Sequence, residues 1–237
     1  MEWEDEAVVL SVRRHGEHGG IVNLLTRSHG RHAGLVHGAQ SKAKSGLVQP
    51  GNHVRAWWRG RLAEHLGSLR VEVLHAHAGA VLDDPARLAA LSSACALVDM
   101  ALPERQPHPG AFVALEALLT ALAAESWPSV YVHWELALLR DLGFGLDLSA
   151  CAATGVTEDL GYVSPRTGRA VSRVAGEAWK DKLLILPRFL VEGGEGDDGQ
   201  IRQGLTLAGV FLERHVLAVH HLAMPAARIR LVDRFRA

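Results

Sequence analysis

The stretch His53-Val54-Arg55-Ala56-Trp57-Trp58-Arg59-Gly60 decides how the amino-terminal third of this chain is read. Extended, it alternates with period two, so that Arg55, Trp57 and Arg59 fall on one side of a strand and Val54, Ala56 and Trp58 on the other. One tryptophan then enters a core while the other stands among cations, and a register slip of one residue exchanges them. Around it, positions 30 to 61 carry Arg31, Lys42, Lys44, Arg55, Arg59 and Arg61, with Arg27 just upstream, and no Asp or Glu. Cations at this density neutralise phosphates without reading sequence, and an exposed indole offers any base a stacking surface worth about 1–3 kcal/mol. The competing reading of the same residues is a solvated outer face, with Trp57 flat beneath an arginine stem.

Working outward, residues 7–13, 21–27, 31–37, 52–59 and 68–77 read as short strands. Gly16, Gly19 and Gly20 punctuate the first connection, Ser28-His29-Gly30 the second, and Pro50-Gly51-Asn52 precedes the fourth strand. Residues 39–49 are polar and basic and too long for a tight hairpin. Five strands with one such loop predict a small closed barrel of the OB type, a scaffold used for oligonucleotides, over residues 1–78.

After Gly79 the texture changes to Ala/Leu-rich segments at helical spacing, which predicts a helical domain over 79–237 and an α+β class for the whole. Helices are expected at 85–101, 110–124 and 128–142, with Asp83 or Asp84 as the first cap and Pro103, Pro107, Pro109, Gly143 and Gly145 at the ends. Residues 151–172 break the pattern and read as an inserted hairpin around a Pro165-Arg166-Thr167-Gly168 turn. Residues 192–199 are acidic and glycine-rich, a mobile solvated connector whose spacing does not suit a calcium loop. An apolar helix resumes at 205–221, and the tail carries Arg228, Arg230, Arg234 and Arg236.

With 48% hydrophobic residues in 237 the chain can bury a core, and its net charge of -1 conceals an asymmetry. Residues 1–78 hold ten Lys/Arg against seven Asp/Glu, and the remainder fifteen against nineteen. Four of the seven acids, Glu2, Glu4, Asp5 and Glu6, precede the first expected strand, which leaves the barrel itself strongly basic. Cys95 and Cys151 give no disulfide framework. No run approaches the roughly 18 apolar residues of a membrane helix, and the chain opens on acids instead of a leader. The expected setting is the cytoplasm, at the nucleoid and away from membranes.

No phosphate loop, dinucleotide fingerprint or nucleophile elbow is present, so no enzyme is expected. Fourteen histidines keep a metal-dependent hydrolase as a minor alternative, although none forms the His-Glu-x-x-His pattern and no Asp, Glu or Cys cluster completes the His75/His77 pair. His29, His32, His37 and His53 are expected to add positive charge to the barrel below about pH 6.5. An OB-fold RNA-binding or ribosome-associated adaptor fits the composition as well as a DNA-binding protein does.

Order and spacing narrow the choice. The run from Gly30-Arg31-His32 to His37-Gly38, the Lys42/Lys44 loop, Leu47-Val48-Gln49-Pro50-Gly51, the helix from Trp134 to Phe144, and Cys151-Ala152-Ala153-Thr154-Gly155 leading into Tyr162-Val163-Ser164 together resemble the bacterial RecO family of recombination mediators. The resemblance covers nearly the whole chain. It implies a non-enzymatic DNA-repair protein that binds single- and double-stranded DNA and anneals complementary strands. It also implies that the protein acts with RecR to load recombinase on strands coated by single-strand-binding protein, docking on the acidic tail of that protein. Arg31, Lys42 and Lys44 match the family's DNA-binding region; Arg55, Trp57, Arg59 and Arg61 are added from strand geometry. For the acidic tail, the candidate is Arg140 beside Leu138, Leu139 and Phe144, the other reading being a surface arginine paired with Asp141.

One departure stands out. Many members hold zinc with four cysteines in and around the hairpin, whereas here the first pair reads Cys151-Ala152-Ala153-Thr154 and no further cysteine follows. No histidine lies between His133 and His215, so four ligands cannot be gathered locally. No cofactor and no zinc are therefore expected, with the hairpin held by packing of Tyr162 and Val163.

Overall fold

The computed structural model describes residues 1–62 and 65–235; Arg236 of the basic tail lies outside them. The chain divides into two compact units, Met1–Ala123 with Pro225–Arg228 and Ala124–Met224 with Ile229–Ala237.

The first unit opens with β1 (Glu2–His15), β2 (Gly19–Thr26), β3 (Gly30–Val36), α1 (Lys42–Ser45), β4 (His53–Arg59) and β5 (Gly67–His75). The strands close into a barrel in the order β1-β2-β3-β5-β4, and only β3 and β5 pair in parallel. This is the five-stranded OB-type barrel that the strand count predicts. Its core holds Val9, Val22, Leu24, Val54, Ala56 and Trp58. The choice between the two tryptophans is settled in favour of Trp58, which is 2% exposed and donates from Nε1 to the Ala33 carbonyl at 3.2 Å.

β1 is far longer than residues 7–13. Its acidic start is itself a strand, paired antiparallel with β4 so that Glu2 faces Arg59, Glu4 faces Trp57 and Glu6 faces Arg55. The alternation Glu2-Trp3-Glu4-Asp5-Glu6-Ala7 holds period two, and the inward Trp3 stacks on Trp58 with centroids 5.9 Å apart. Asp5 is used at the barrel mouth, where Oδ2 accepts from the Ser28 amide at 2.7 Å. The four acids thus belong to the barrel, and the strongly basic balance computed without them is corrected accordingly.

Three helices follow in the same unit: α2 (His77–Ala80), α3 (Pro85–Ala101) and α4 (Pro109–Ala121). Asp84 caps α3, its Oδ1 accepting from the amides of Ala86 at 2.8 Å and Arg87 at 3.1 Å, with Pro85 in the first turn. α3 packs on the outer side of β1 and β2: Val8, Leu10 and Leu25 are buried outside the barrel core, and Cys95 reaches the Val9 carbonyl. Strand texture therefore stops near residue 78, while the compact unit runs on to Ala123 because these helices cover the barrel.

In the second unit α5 (Trp127–Asp141) is followed by β6 (Leu160–Val163), β7 (Ala170–Ser172), α6 (Arg173–Gly176), β8 (Leu184–Ile185), α7 (Phe189–Glu192) and α8 (Asp198–Phe211), which continues as a π-helical stretch, Leu212–Leu217. α9 (Ala226–Arg234) comes last. The expected hairpin is the β6–β7 pair, enlarged to three strands in the order β7-β6-β8. The acidic loop is anchored. Gly196 donates to Ser129 Oγ at 2.9 Å, and Asp197 caps α8 by accepting from Gln200 at 2.8 Å. Among the described residues no helix is long and apolar enough to cross a membrane.

Candidate nucleic-acid interface

OB barrels commonly bind oligonucleotides on the face of strands 2 and 3 with the flanking loops. Here that face is occupied from within. Asp99 of α3 is the hub: its Oδ2 accepts from Ser11 Oγ at 2.7 Å and from Asn23 Nδ2 at 3.3 Å. Arg31 joins the same cluster, with Nε donating to the Leu102 carbonyl at 2.8 Å and Nη1 lying 3.3 Å from Asp99 and 3.6 Å from Glu104. The Arg105 amide also donates to the Arg31 carbonyl at 2.8 Å. With its side chain 17% exposed, Arg31 is a clamp between barrel and helix, not a surface cation. It leaves the phosphate-contacting set. The upstream Arg27 is likewise engaged, donating to Glu6 at 2.8 Å and lying over the Phe112 ring.

The open side of the barrel is formed by β1, β4, β5 and the α1 segment. β3 and β5 pair only through Gly34–Gly67 and Leu35–Ser68. Beyond that seam a groove of about 990 Å³ opens, its charged lining being Lys44, Arg59 and Arg70 together with Glu2 and Glu4. Lys44 is held there by a hydrogen bond from Nζ to the His37 carbonyl at 2.9 Å. Trp57 lines the groove half-buried, with Arg70 Cζ 4.6 Å from the centroid of its ring. The arginine on the indole is therefore Arg70 of the neighbouring strand, a cation–π pair. Sequence reading left Arg70 out because it lies beyond the basic stretch; the period-two pattern of β5, carried across its pairing with Trp57, would have found it.

Of the remaining predicted cations, Lys42 and Arg61 are exposed and without an ion pair among the described residues. Arg55 and Arg59 are exposed but face acids, Arg55 Nε lying 3.6 Å from Glu4 and Arg59 Nε 3.9 Å from Glu2. These pairs are solvated and weak. Arg13 and Arg14, also exposed, lie at the β1–β2 turn, where Gln40 ties the loop after β3 to the Gly19 carbonyl at 2.9 Å.

The histidines do not form the expected charged set. Burial pushes His32 down to about 4, helped by the nearby charges of Arg105 and His29, and burial also lowers His53. His29 stacks on Trp3 and contacts Asp5 at 3.0 Å, which leaves the exposed His37 as the one of the four in the groove. Among the described residues no group of three or more His, Cys, Asp or Glu is placed to hold a metal ion.

The partner-site residues separate. Leu138 and Leu139 are buried, whereas Arg140 is exposed and Phe144 is 40% exposed, stacked on His215 at 4.9 Å. In the hairpin Val163 is buried and Tyr162 is partly buried. Cys151 Sγ accepts from the Ser172 amide at 3.3 Å. Burial raises the Cys151 thiol, but hydrogen bonds from Ser172, Thr154 and Ala153 outweigh it and bring the thiol to about 6. One sulfur among hydroxyls and amides is not a zinc donor set.

This arrangement, a five-stranded barrel clamped by α3 and followed by helices with a three-stranded insert, has clear relatives. Residues 1–77 match the family described as Recombination protein O N terminal, and residues 82–222 the family described as Recombination protein O C terminal. The DNA repair protein RecO of Rhodospirillum centenum is 57% identical over 238 residues, covering 100% of this chain and 95% of its own. That of Phenylobacterium zucineum is 52% identical over 236 residues, covering 99% and 97%, and that of Jannaschia sp. 47% over 234 residues, covering 98% and 96%. Two matched domains in the order in which barrel and helices fold, together with relatives matched end to end, place the chain in the RecO family of DNA repair proteins.

Proposed function

We propose that this chain serves DNA repair as a non-enzymatic mediator that binds single- and double-stranded DNA through the open side of its barrel. The observation that carries the reading is the grouping of Lys44, Arg59 and Arg70 around one groove of the barrel, with the exposed Lys42 and Arg61 in the adjoining segments α1 and the turn after β4, in a chain of the RecO family. Neutralised on such a surface, two complementary strands repel each other less over the distance needed to nucleate pairing, which is the physical basis for annealing. Loading of recombinase on coated strands, together with RecR, follows in this reading. The acidic tail of single-strand-binding protein then meets Arg140 and the exposed ring of Phe144 in the second unit. The setting is the cytoplasm, at the nucleoid.

The test is binding of a labelled single strand across a salt series, with Lys42→Ala/Lys44→Ala alongside. Two lost phosphate contacts lower the magnitude of the logarithmic salt slope by about 1.4 and weaken binding alike across sequences. A sequence-specific loss, or wild-type affinity independent of salt, overturns the reading, and stronger competition by RNA than by DNA turns it toward an RNA-binding adaptor. The same reading includes a hairpin folded without metal through Cys151, Ser172 and Val163. Zinc bound stoichiometrically to purified protein would contradict it.

A further inference from the structure

The second unit carries a recess of its own, of about 270 Å³. Its lining comes from separate parts of the chain: Gly161 of β6, Arg173 at the start of α6, the run from Ile185 to Arg188, and Gln200 and Gln203 of α8. Two guanidinium groups and two carboxamides thus meet one cavity, and no Asp or Glu lines it. Gly161 forms part of the floor, its carbonyl accepting from the Leu186 amide at 3.0 Å. The Arg173 stem lies across this glycine so closely that a Cβ there would stand 2.5 Å from Cγ and 3.1 Å from Cζ. Arg173 Nε is 3.3 Å from Asp159, an exposed pair that orients the guanidinium without burying its charge. Arg188 is exposed and has no ion pair among the described residues. Gln200 and Gln203, both half-buried, stand three apart on α8 and so share a face of the helix.

We propose that this recess binds a phosphate monoester carried on a small organic molecule. Charge sets the class: two lining cations with no lining acid call for a dianion, and a phosphate monoester carries about −1.5 to −2 near pH 7. Donor count agrees. Two guanidinium forks and two carboxamide N–H groups exceed what the two oxygens of a carboxylate accept, whereas a monoester offers three strong acceptor oxygens. Size limits the rest of the ligand, since the cavity falls just under the range that encloses drug-sized molecules. Ile185 and Pro187 supply its apolar contact. The recess uses no residue of the barrel, so binding here and strand binding there succeed or fail separately.

Phenyl phosphate is the probe, and benzoate is its monoanionic counterpart. Both are titrated at fixed ionic strength into the full-length protein, Arg188→Ala, Gln203→Glu and Lys42→Ala/Lys44→Ala. Gln203→Glu keeps the size of the side chain while placing a negative charge in the recess, and urea midpoints confirm that each variant folds. Phenyl phosphate is expected to bind at least about 10-fold more tightly than benzoate, and each recess variant to weaken it by about 10-fold or more. The lysine variant leaves phenyl phosphate binding unchanged, and the recess variants keep the affinity of the protein for a labelled thymidine octamer. Equal binding of the two probes, binding of neither, or an affinity that Arg188→Ala leaves intact overturns the proposal. A loss confined to the lysine variant overturns it too, by placing the ester on the barrel.

Discussion

The backbone of Gly67 lies against the indole of Trp58 so closely that a Cβ at residue 67 would stand 2.4 Å from Cε2. Gly34, its parallel partner across the seam, is equally constrained, with a Cβ there meeting Leu69 at 2.7 Å and Trp58 at 3.2 Å. Gly60 sits at the far end of the same ring, 2.5 Å from Cη2 by the same measure. Three glycines make the slot that lets Trp58 be the inward member of the pair. Gly67→Ala is expected to destabilise the fold by about 1–3 kcal/mol through overpacking at a backbone that cannot retreat from Arg59. Urea denaturation followed by tryptophan emission measures it; an unchanged midpoint would mean that the seam yields.

The assignment of Arg31 to the clamp separates two kinds of cation by experiment. Arg31→Ala leaves Asp99 and the Leu102 carbonyl short of a donor at a part-buried site and is expected to cost about 2–4 kcal/mol of stability. Its salt slope on single-stranded DNA stays that of the unmodified protein, because no phosphate contact is lost. A reduced slope with unchanged stability would return Arg31 to the interface.

What the sequence made legible follows the range of the forces involved. The barrel, the bounds of α3 and the facing of Arg55, Trp57 and Arg59 rest on local alternation, caps and turn residues, and they were readable. Glu2 to Glu6 fall before the expected first strand because charge outweighs a period-two pattern that Trp3 already marks. The burial of Arg31 had no local signal: its partners stand 68 to 73 positions away on α3 and just beyond it. The same holds for Leu138 and Leu139, whose place in the core depends on packing between helices that a single helix pattern does not specify.

Because Glu2 and Glu4 face Arg59 and Arg55 on the open side, they compete with phosphate for the same guanidinium groups. Glu2→Gln/Glu4→Gln removes two negative charges from the groove lining without removing a backbone pair of β1. Single-strand affinity is expected to rise about 3- to 10-fold at low salt, with the gain fading as salt screens it. Anisotropy titrations at two salt concentrations read this directly. A loss of affinity would mean that the carboxylates orient the arginines instead of masking them.

His32 gives the barrel a pH dependence of known sign. Its side chain is buried, neither ring nitrogen has a hydrogen-bond partner among the described residues, and it lies edge-on to Trp3 and Trp58 at 5.1 and 4.9 Å. Burial, with the charges of Arg105 and His29 beside it and Glu104 opposing, holds it neutral down to about pH 4, below the ordinary histidine value of 6.5. Between those values the unfolded chain binds the extra proton, so the stability due to His32 is complete above about pH 6.5 and is lost as the pH falls toward 4. The full effect is on the order of 3 kcal/mol, and only part of it is reached by pH 5. His53, also lowered by burial, acts in the same direction. The difference between the native chain and His32→Phe isolates the one residue: with urea midpoints compared at pH 7.5, 6 and 5, the native midpoint should fall relative to that of the variant as pH falls, since the variant has no imidazole to protonate. Parallel lines across that range would show that His32 keeps its ordinary titration in the folded barrel.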